Sequence, residues 1–148
     1  MIAVIQRVSS SSVKIDGEIV GKIEKGLNIL LGVKKGDSKE DVKKLVTKII
    51  NLRIFQDEND KMNLSLIDIK GQALIISQFT LAGNIKRGRR PSFDSSETPT
   101  VAKELYEEFI DDVIKEGIEV QTGVFGAMMD VSIQNDGPVT FIVDSKEI

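Results

Sequence analysis

Two segments carry residue types suited to chemistry, Ser77-Gln78-Phe79-Thr80-Leu81 and Asn135-Asp136-Gly137-Pro138-Val139-Thr140. They sit in a chain of 148 residues with no histidine and no cysteine. That removes the imidazole base, the Ser-His and Cys-His nucleophile pairs, and every imidazole or thiolate metal ligand. What remains is the chemistry of backbone groups, hydroxyls, carboxylates or the substrate itself. Residues 77–81 read in two ways. They are a strand end whose hydroxyls satisfy backbone groups, or a turn whose N–H groups face a ligand and stabilise an oxyanion. Thr80 adds a hydroxyl, a poor nucleophile without a neighbouring base. Gly137-Pro138 is either a plain turn between closing strands or, if its peptide is cis, a pair of carbonyls pointing one way to receive an ammonium group.

Lys86-Arg87-Gly88-Arg89-Arg90 places four positive charges in five residues of a chain whose net charge is −3. It is a solvated loop or a phosphate contact, and arginines suit bidentate phosphate binding. Arg7 lies among Val4, Ile5 and Val8. If it points inward it needs acceptors, and backbone carbonyls would serve. Phe125, Met128 and Met129 read as core or pocket wall. No carboxylate pair, P-loop, Rossmann fingerprint or metal-ligand spacing stands out, so no metal or cofactor is expected.

The elements that must position these residues follow from pattern. Residues 2–15 are β-branched and predict a long strand, with Asp16-Gly17 turning into a hairpin strand over Glu18–Ile23. Leu27–Val33 is a short apolar run typical of a buried strand. Asp37-Ser38 opens a helix whose apolar face is Val42, Leu45, Val46, Ile49 and Ile50, ending near Arg53. Ile54–Gln56 and Met62–Ser65 flank a polar turn, and Ala73–Phe79 predicts another buried strand. Thr98-Pro99 starts a second helix, with Ala102, Leu105, Tyr106, Phe109 and Val113 on one apolar face, and Gly117 ends it. Ile118–Phe125, Met128–Gln134 and Val139–Asp144 predict three closing strands. The order predicts one α/β domain over residues 1–148, a mixed or barrel-like sheet covered by two helices.

Hydrophobic residues at 41% and charged residues at 29% are ordinary for a globular protein. The acidic balance gives no global nucleic-acid footprint, so DNA is not an expected partner. The absent cysteine fits a reducing compartment. The N-terminus has no signal-peptide pattern, and no apolar run reaches the length of a membrane span. A cytoplasmic protein with no membrane contact is expected.

Together these segments resemble the D-aminoacyl-tRNA deacylase family over nearly the whole chain. The resemblance is carried by Ile5-Gln6-Arg7-Val8, Gly26-Leu27, Lys61-Met62-Asn63-Leu64-Ser65 and Ser77–Leu81. It continues in Arg89-Arg90-Pro91-Ser92-Phe93, Phe125-Gly126-Ala127-Met128-Met129 and Asn135–Thr140. Ser11 stands where alanine is common and Ile76 where valine is usual, and neither touches a motif. The resemblance implies a homodimer in which a cis Gly137-Pro138 enters the partner's site and its carbonyls hold the amino group of the substrate's amino acid. Arg7 would help orient that loop, and Met129 is counted with the substrate-binding residues. Ser77, Gln78, Phe79 and Thr80 would form the opposite, catalytic wall beside the ester and the terminal adenosine. Thr80 matches a residue once taken as the nucleophile; the missing histidine favours the adenosine's 2′-hydroxyl in that role. Lys86, Arg87, Arg89 and Arg90 would contact tRNA phosphates. The implied activity is hydrolysis of D-aminoacyl-tRNA, and of glycyl-tRNA mischarged on tRNA(Ala), with L-amino acids rejected. The rivals are a non-catalytic tRNA-binding dimer and an editing enzyme for L-aminoacyl-tRNA.

Overall fold

In the computed structural model, which describes residues 1–148, the opening run forms one strand, β1 (Ile2–Ile15). Asp16 and Gly17 take positive φ and turn the chain into β2 (Glu18–Ile23), antiparallel to β1. β3 (Gly26–Gly32) pairs antiparallel with the first half of β1. Ser38 and Asp41 form a capping box at the start of α1 (Lys39–Asn51), so two orphan N-terminal groups are satisfied reciprocally. β4 (Phe55–Gln56) and β5 (Met62–Leu64) make a separate small ribbon. The chain then returns as β6 (Gln72–Ser77), parallel to β3. Pro99 sits in the first turn of α2 (Pro99–Lys115), which crosses over to β7 (Glu119–Thr122), parallel to β6. β8 (Asp130–Asp144) runs back antiparallel to β1.

The main sheet runs β2-β1-β3-β6-β7, with β8 also paired to β1. It curls until its edges meet. A Cβ on Gly21 of β2 would lie 2.5 Å from the Thr122 carbonyl of β7, so only glycine allows that approach. Both helices pack on the outer face, over a core that includes Ile5, Leu27, Ile29, Leu45, Ile49, Ile75 and Phe109. A smaller cluster, Val8, Val13, Ile23, Leu74 and Ile76, fills the inside of the curl. The pleat of β1 slips between Val8 and Ser10, which brings Val13 onto the same face as Val8. The expected barrel-like α/β sheet under two helices is what forms.

Three boundaries differ from expectation. β6 stops at Ser77, because the chain winds into a 3₁₀ turn over Phe79–Ala82. The strand expected over Ile118–Phe125 shortens to β7, since residues 123–129 must turn the chain, with Gly126 at φ +76°. The two last strands are one. β1 is long enough to pair with both, and the residues between them bulge out of a continuous β8.

The outer ends of β1 and β8 are pinned at α1. The Met1 ammonium is buried, 2.7 Å from Asp37, and donates to Ser145 Oγ at 2.6 Å. Asp41 accepts from Ser145 Oγ and Lys146 Nζ, both at 2.7 Å. Burial alone would push the Asp41 carboxyl up; hydrogen bonds from Lys146, Ser145 and the Ser38 backbone outweigh it and hold the group well below the usual carboxylate range. A folded-state pKa below the unfolded one stabilises the fold above the ordinary carboxylate pKa, and that contribution is lost as acid protonates Asp41. The melting temperature should therefore fall from about pH 4 downward. Asp41→Asn should melt lower at pH 7 and show a shallower acid limb. An unchanged acid limb in thermal melts across pH 3 to 7 would contradict this.

Candidate active site

β3 and β6 are parallel and end together, with Leu31 paired to Ser77. The Gln78 N–H donates to the Leu31 carbonyl at 2.8 Å, which fixes the start of the turn. Outside these carboxyl ends lies a cavity of about 620 Å³, the usual place for a ligand in such sheets. Ser77, Gln78, Phe79 and Thr80 all line it, as does Met129. Phe79 and Thr80 open the 3₁₀ turn, and the first N–H groups of a helical turn have no partner within it. Gln78 Nε2 donates to Thr80 Oγ1 at 2.5 Å. No carboxylate or ammonium reaches that hydroxyl, so nothing there withdraws its proton.

The far wall comes from α2, the 123–129 turn and the start of β8. Tyr106 is buried and donates its hydroxyl to the Ile75 carbonyl at 2.9 Å, tying α2 to β6 two residues before Ser77. Burial, with a smaller push from Glu107, moves its phenol up to about 12, so the donor stays protonated. Phe125 tilts against Tyr106 with ring centroids 5.8 Å apart. Phe125, Met128 and Met129 are thus pocket wall, the second of their two readings. Tyr106 and Ala102, which the helical pattern marked only as a buried face, also line the cavity. No three acidic side chains converge on a possible metal position.

Gly137 and Pro138 are elsewhere. Between the pairs Gln6–Thr140 and Val8–Asn135, Arg7 alone faces Asp136, Gly137, Pro138 and Val139. Those four residues form a bulge in which Asp136, Gly137 and Pro138 are exposed while Val139 is buried in the core, and the Gly137-Pro138 peptide is cis. Its reading as a turn between two strands is corrected: it is an excursion within one. Asn135 closes the base of the bulge, donating to the carbonyls of Arg7 at 2.9 Å and Val139 at 3.2 Å. Arg7 points inward, donates from Nη1 to the Ile54 carbonyl at 2.7 Å, and lies 3.0 Å from the Asp136 carboxylate through Nε. The Nε–H is not aimed at that oxygen, so the contact is an ion pair and not a hydrogen bond.

Arg7 pairs with Leu27, at the opposite end of β3 from Leu31, where the cavity begins. Four strand steps, about 13 Å, separate the two levels. Neither Arg7, Gly137 nor Pro138 lines the cavity of its own chain.

Lys86, Arg87, Arg89 and Arg90 project from an exposed loop closed by mutual Asn84–Ser92 backbone hydrogen bonds of 2.7 and 3.0 Å. No carboxylate pairs with any of the four. The loop is tied to the cavity by Phe93, which meets Phe79 edge-on at 5.1 Å.

Residues 4–144 match the family model described as D-Tyr-tRNA(Tyr) deacylase. The chain belongs to that family. A D-aminoacyl-tRNA deacylase of Persephonella marina is 66% identical, and one of Aquifex aeolicus 60%, each over the full length of both chains. Among solved structures, a c-Myc DNA unwinding element binding protein superposes with TM-score 0.91 at 37% identity, covering 97% of this chain and 98% of that one. A probable eukaryotic D-amino acid tRNA deacylase gives TM-score 0.81 at 17% identity, with the same coverage, and shows the shared fold. No helix of this deacylase-family chain is long and apolar enough to cross a membrane.

Proposed function

We infer that this chain hydrolyses the ester joining a D-amino acid to the 3′ end of tRNA, and that its working unit is a cytoplasmic homodimer. Membership of the D-Tyr-tRNA(Tyr) deacylase family and its deacylase relatives support the reaction. The observation that carries the dimer is the separation within one chain of two parts of the expected site. The cavity holds Ser77–Thr80, while the Gly137-Pro138 bulge stands exposed about four strand steps away. A second copy related by a two-fold axis can deliver its bulge to this cavity and receive this bulge in its own. Phe141 and Ile142, next to the bulge, are 43% and 72% exposed, and Met128 at the cavity mouth is 91% exposed. Apolar side chains left open at both places suit burial by a second copy.

In the proposed reaction the Gly137 and Pro138 carbonyls of one subunit accept hydrogen bonds from the substrate's ammonium group. The Phe79 and Thr80 N–H groups of the other face the ester oxygen that becomes negative. Water attacks with the 2′-hydroxyl of the terminal ribose as its polar partner. Positioning and electrostatics then supply the rate, with no side-chain nucleophile. The loop Lys86–Arg90 would meet tRNA phosphates.

The test is release of tyrosine from D-Tyr-tRNA by the purified protein. Release is expected, and a protein that binds this tRNA without releasing tyrosine would be the rival non-catalytic module. Thr80→Val should keep turnover within about tenfold, because its hydroxyl contacts only Gln78. Loss of a true nucleophile costs on the order of 10⁴-fold or more, and a fall of that size would restore Thr80 to the role.

A further inference from the structure

A groove of about 840 Å³ runs along the C-terminal half of α1. Lys43, Lys44, Lys48 and Arg53 line it, with Thr47 and Asn51 between them. Residues 42–56 contain these four cations and no acid, in a chain with 23 acidic residues. None of the four lies within ion-pair distance of a carboxylate. An ordinary solvated helix face mixes signs, as α2 does with Lys103–Glu107 and Lys115–Asp112. The dipole of α1 favours a cation in its last turn, which accounts for Lys48 but not for Lys43 and Lys44 farther in.

We propose that this groove is a second docking track for tRNA, one that takes the backbone phosphates of the acceptor stem. Lys44 and Lys48 lie on one ridge, about 6 Å apart along the helix axis, which suits successive phosphates of one strand. Arg53 at the end of the groove precedes Ile54, whose carbonyl holds Arg7, and Arg7 holds Asp136 at the root of the Gly137-Pro138 bulge. Arg53 of the groove and Asp136 of the bulge are thus linked through Ile54 and Arg7. The assignment rests on the cross-subunit reading above: a 3′ end held between one subunit's cavity and the other's bulge leads its stem past the groove of the bulge-bearing subunit. Contact through phosphates is independent of sequence and sensitive to salt.

The test compares the wild type, K43Q/K44Q/K48Q and K43R/K44R/K48R. Three measurements are made: anisotropy of 5′-labelled uncharged tRNA across a salt series, turnover of D-Tyr-tRNA, and turnover of D-tyrosine esterified to a CCA trinucleotide. Glutamine keeps nearly the helix propensity of lysine, so the fold is expected to persist. The glutamine variant should bind tRNA at least about tenfold more weakly, with a salt slope reduced by about 2 to 3. Its KM for D-Tyr-tRNA should rise by a similar factor, with kcat and trinucleotide turnover unchanged, and the arginine variant should bind like the wild type. Unchanged affinity and salt slope in the glutamine variant would overturn the assignment, as would a fall in kcat with affinity intact. If the wild type binds tRNA in a salt-sensitive way that the glutamine variant loses, yet releases no D-tyrosine, the groove stands and the catalytic reading fails.

Discussion

D-tyrosine and glycine are expected to leave their tRNAs in the presence of this protein, while L-tyrosine stays attached. The basis is a contact at three points. In the proposed site the ammonium group would be fixed at the Gly137 and Pro138 carbonyls, and the ester at the turn over Ser77–Thr80. The two remaining substituents on Cα are then distinguishable. In that proposed geometry a D side chain would point to open space, and an L side chain would strike backbone carbonyls. Asn135 braces that backbone from both sides of the bulge, so it cannot easily retreat. Selection is by rejection. A preference of at least about a thousandfold for D over L, about 4 kcal/mol, is expected. Glycine carries hydrogen at both positions and escapes the clash. Side-by-side single-turnover measurements on the three charged tRNAs would check this. Glycyl-tRNA as resistant as L-tyrosyl-tRNA would contradict it, and so would strong preference for a single D-amino acid.

The second large effect is expected at Arg7. Its side chain is almost wholly buried, and it is the only group satisfying the Ile54 carbonyl from the bulge side. Arg7→Met keeps the length but leaves that carbonyl without its donor and Asp136 without its counter-ion. The cost to the fold is about 2–3 kcal/mol. For a chain of this size that lowers the melting temperature by roughly 5–10 °C. Activity should fall further than stability explains. A displacement of the bulge by about 1 Å costs on the order of a hundredfold in rate, measured well below the melting point. Arg7→Lys keeps the charge but not the two-armed reach, and should recover stability more than activity. A variant Arg7→Met that melts and turns over like the wild type would remove Arg7 from the account.

Much of the fold was legible where the signal is local. Asp16-Gly17 announces the first hairpin, Ser38 the first helix and Pro99 the second. The 3.6-residue spacing of Leu45, Val46 and Ile49 marks the buried face of α1. Ser77–Thr80 stood out as a group because they are contiguous, and all four line the cavity. What the sequence did not show is set by pairing at long range. Whether Gly137-Pro138 turns the chain or bulges from it depends on β1, some 130 residues earlier, pairing on both sides of it. Tyr106 as cavity wall was hidden for a similar reason. Periodicity reports that a residue is buried, and only the packing of α2 on β6 says against what. The distance between cavity and bulge follows from the β1–β3 register, which no motif records.

The central claim is that each active site takes its cavity from one chain and its bulge from another, and a heterodimer tests it most directly. One parent carries Thr80→Trp, which fills the exposed cavity mouth. The other lacks Gly137 and Pro138, which leaves two residues facing Arg7, an ordinary bulge that β8 can absorb. The two are co-expressed with different tags and the mixed dimer is isolated. Each parent homodimer should release no D-tyrosine from D-Tyr-tRNA, while the heterodimer, with one intact cavity facing one intact bulge, should recover about half of the wild-type rate. An inactive heterodimer of folded subunits, or a wild-type protein that works as a monomer, would contradict the account.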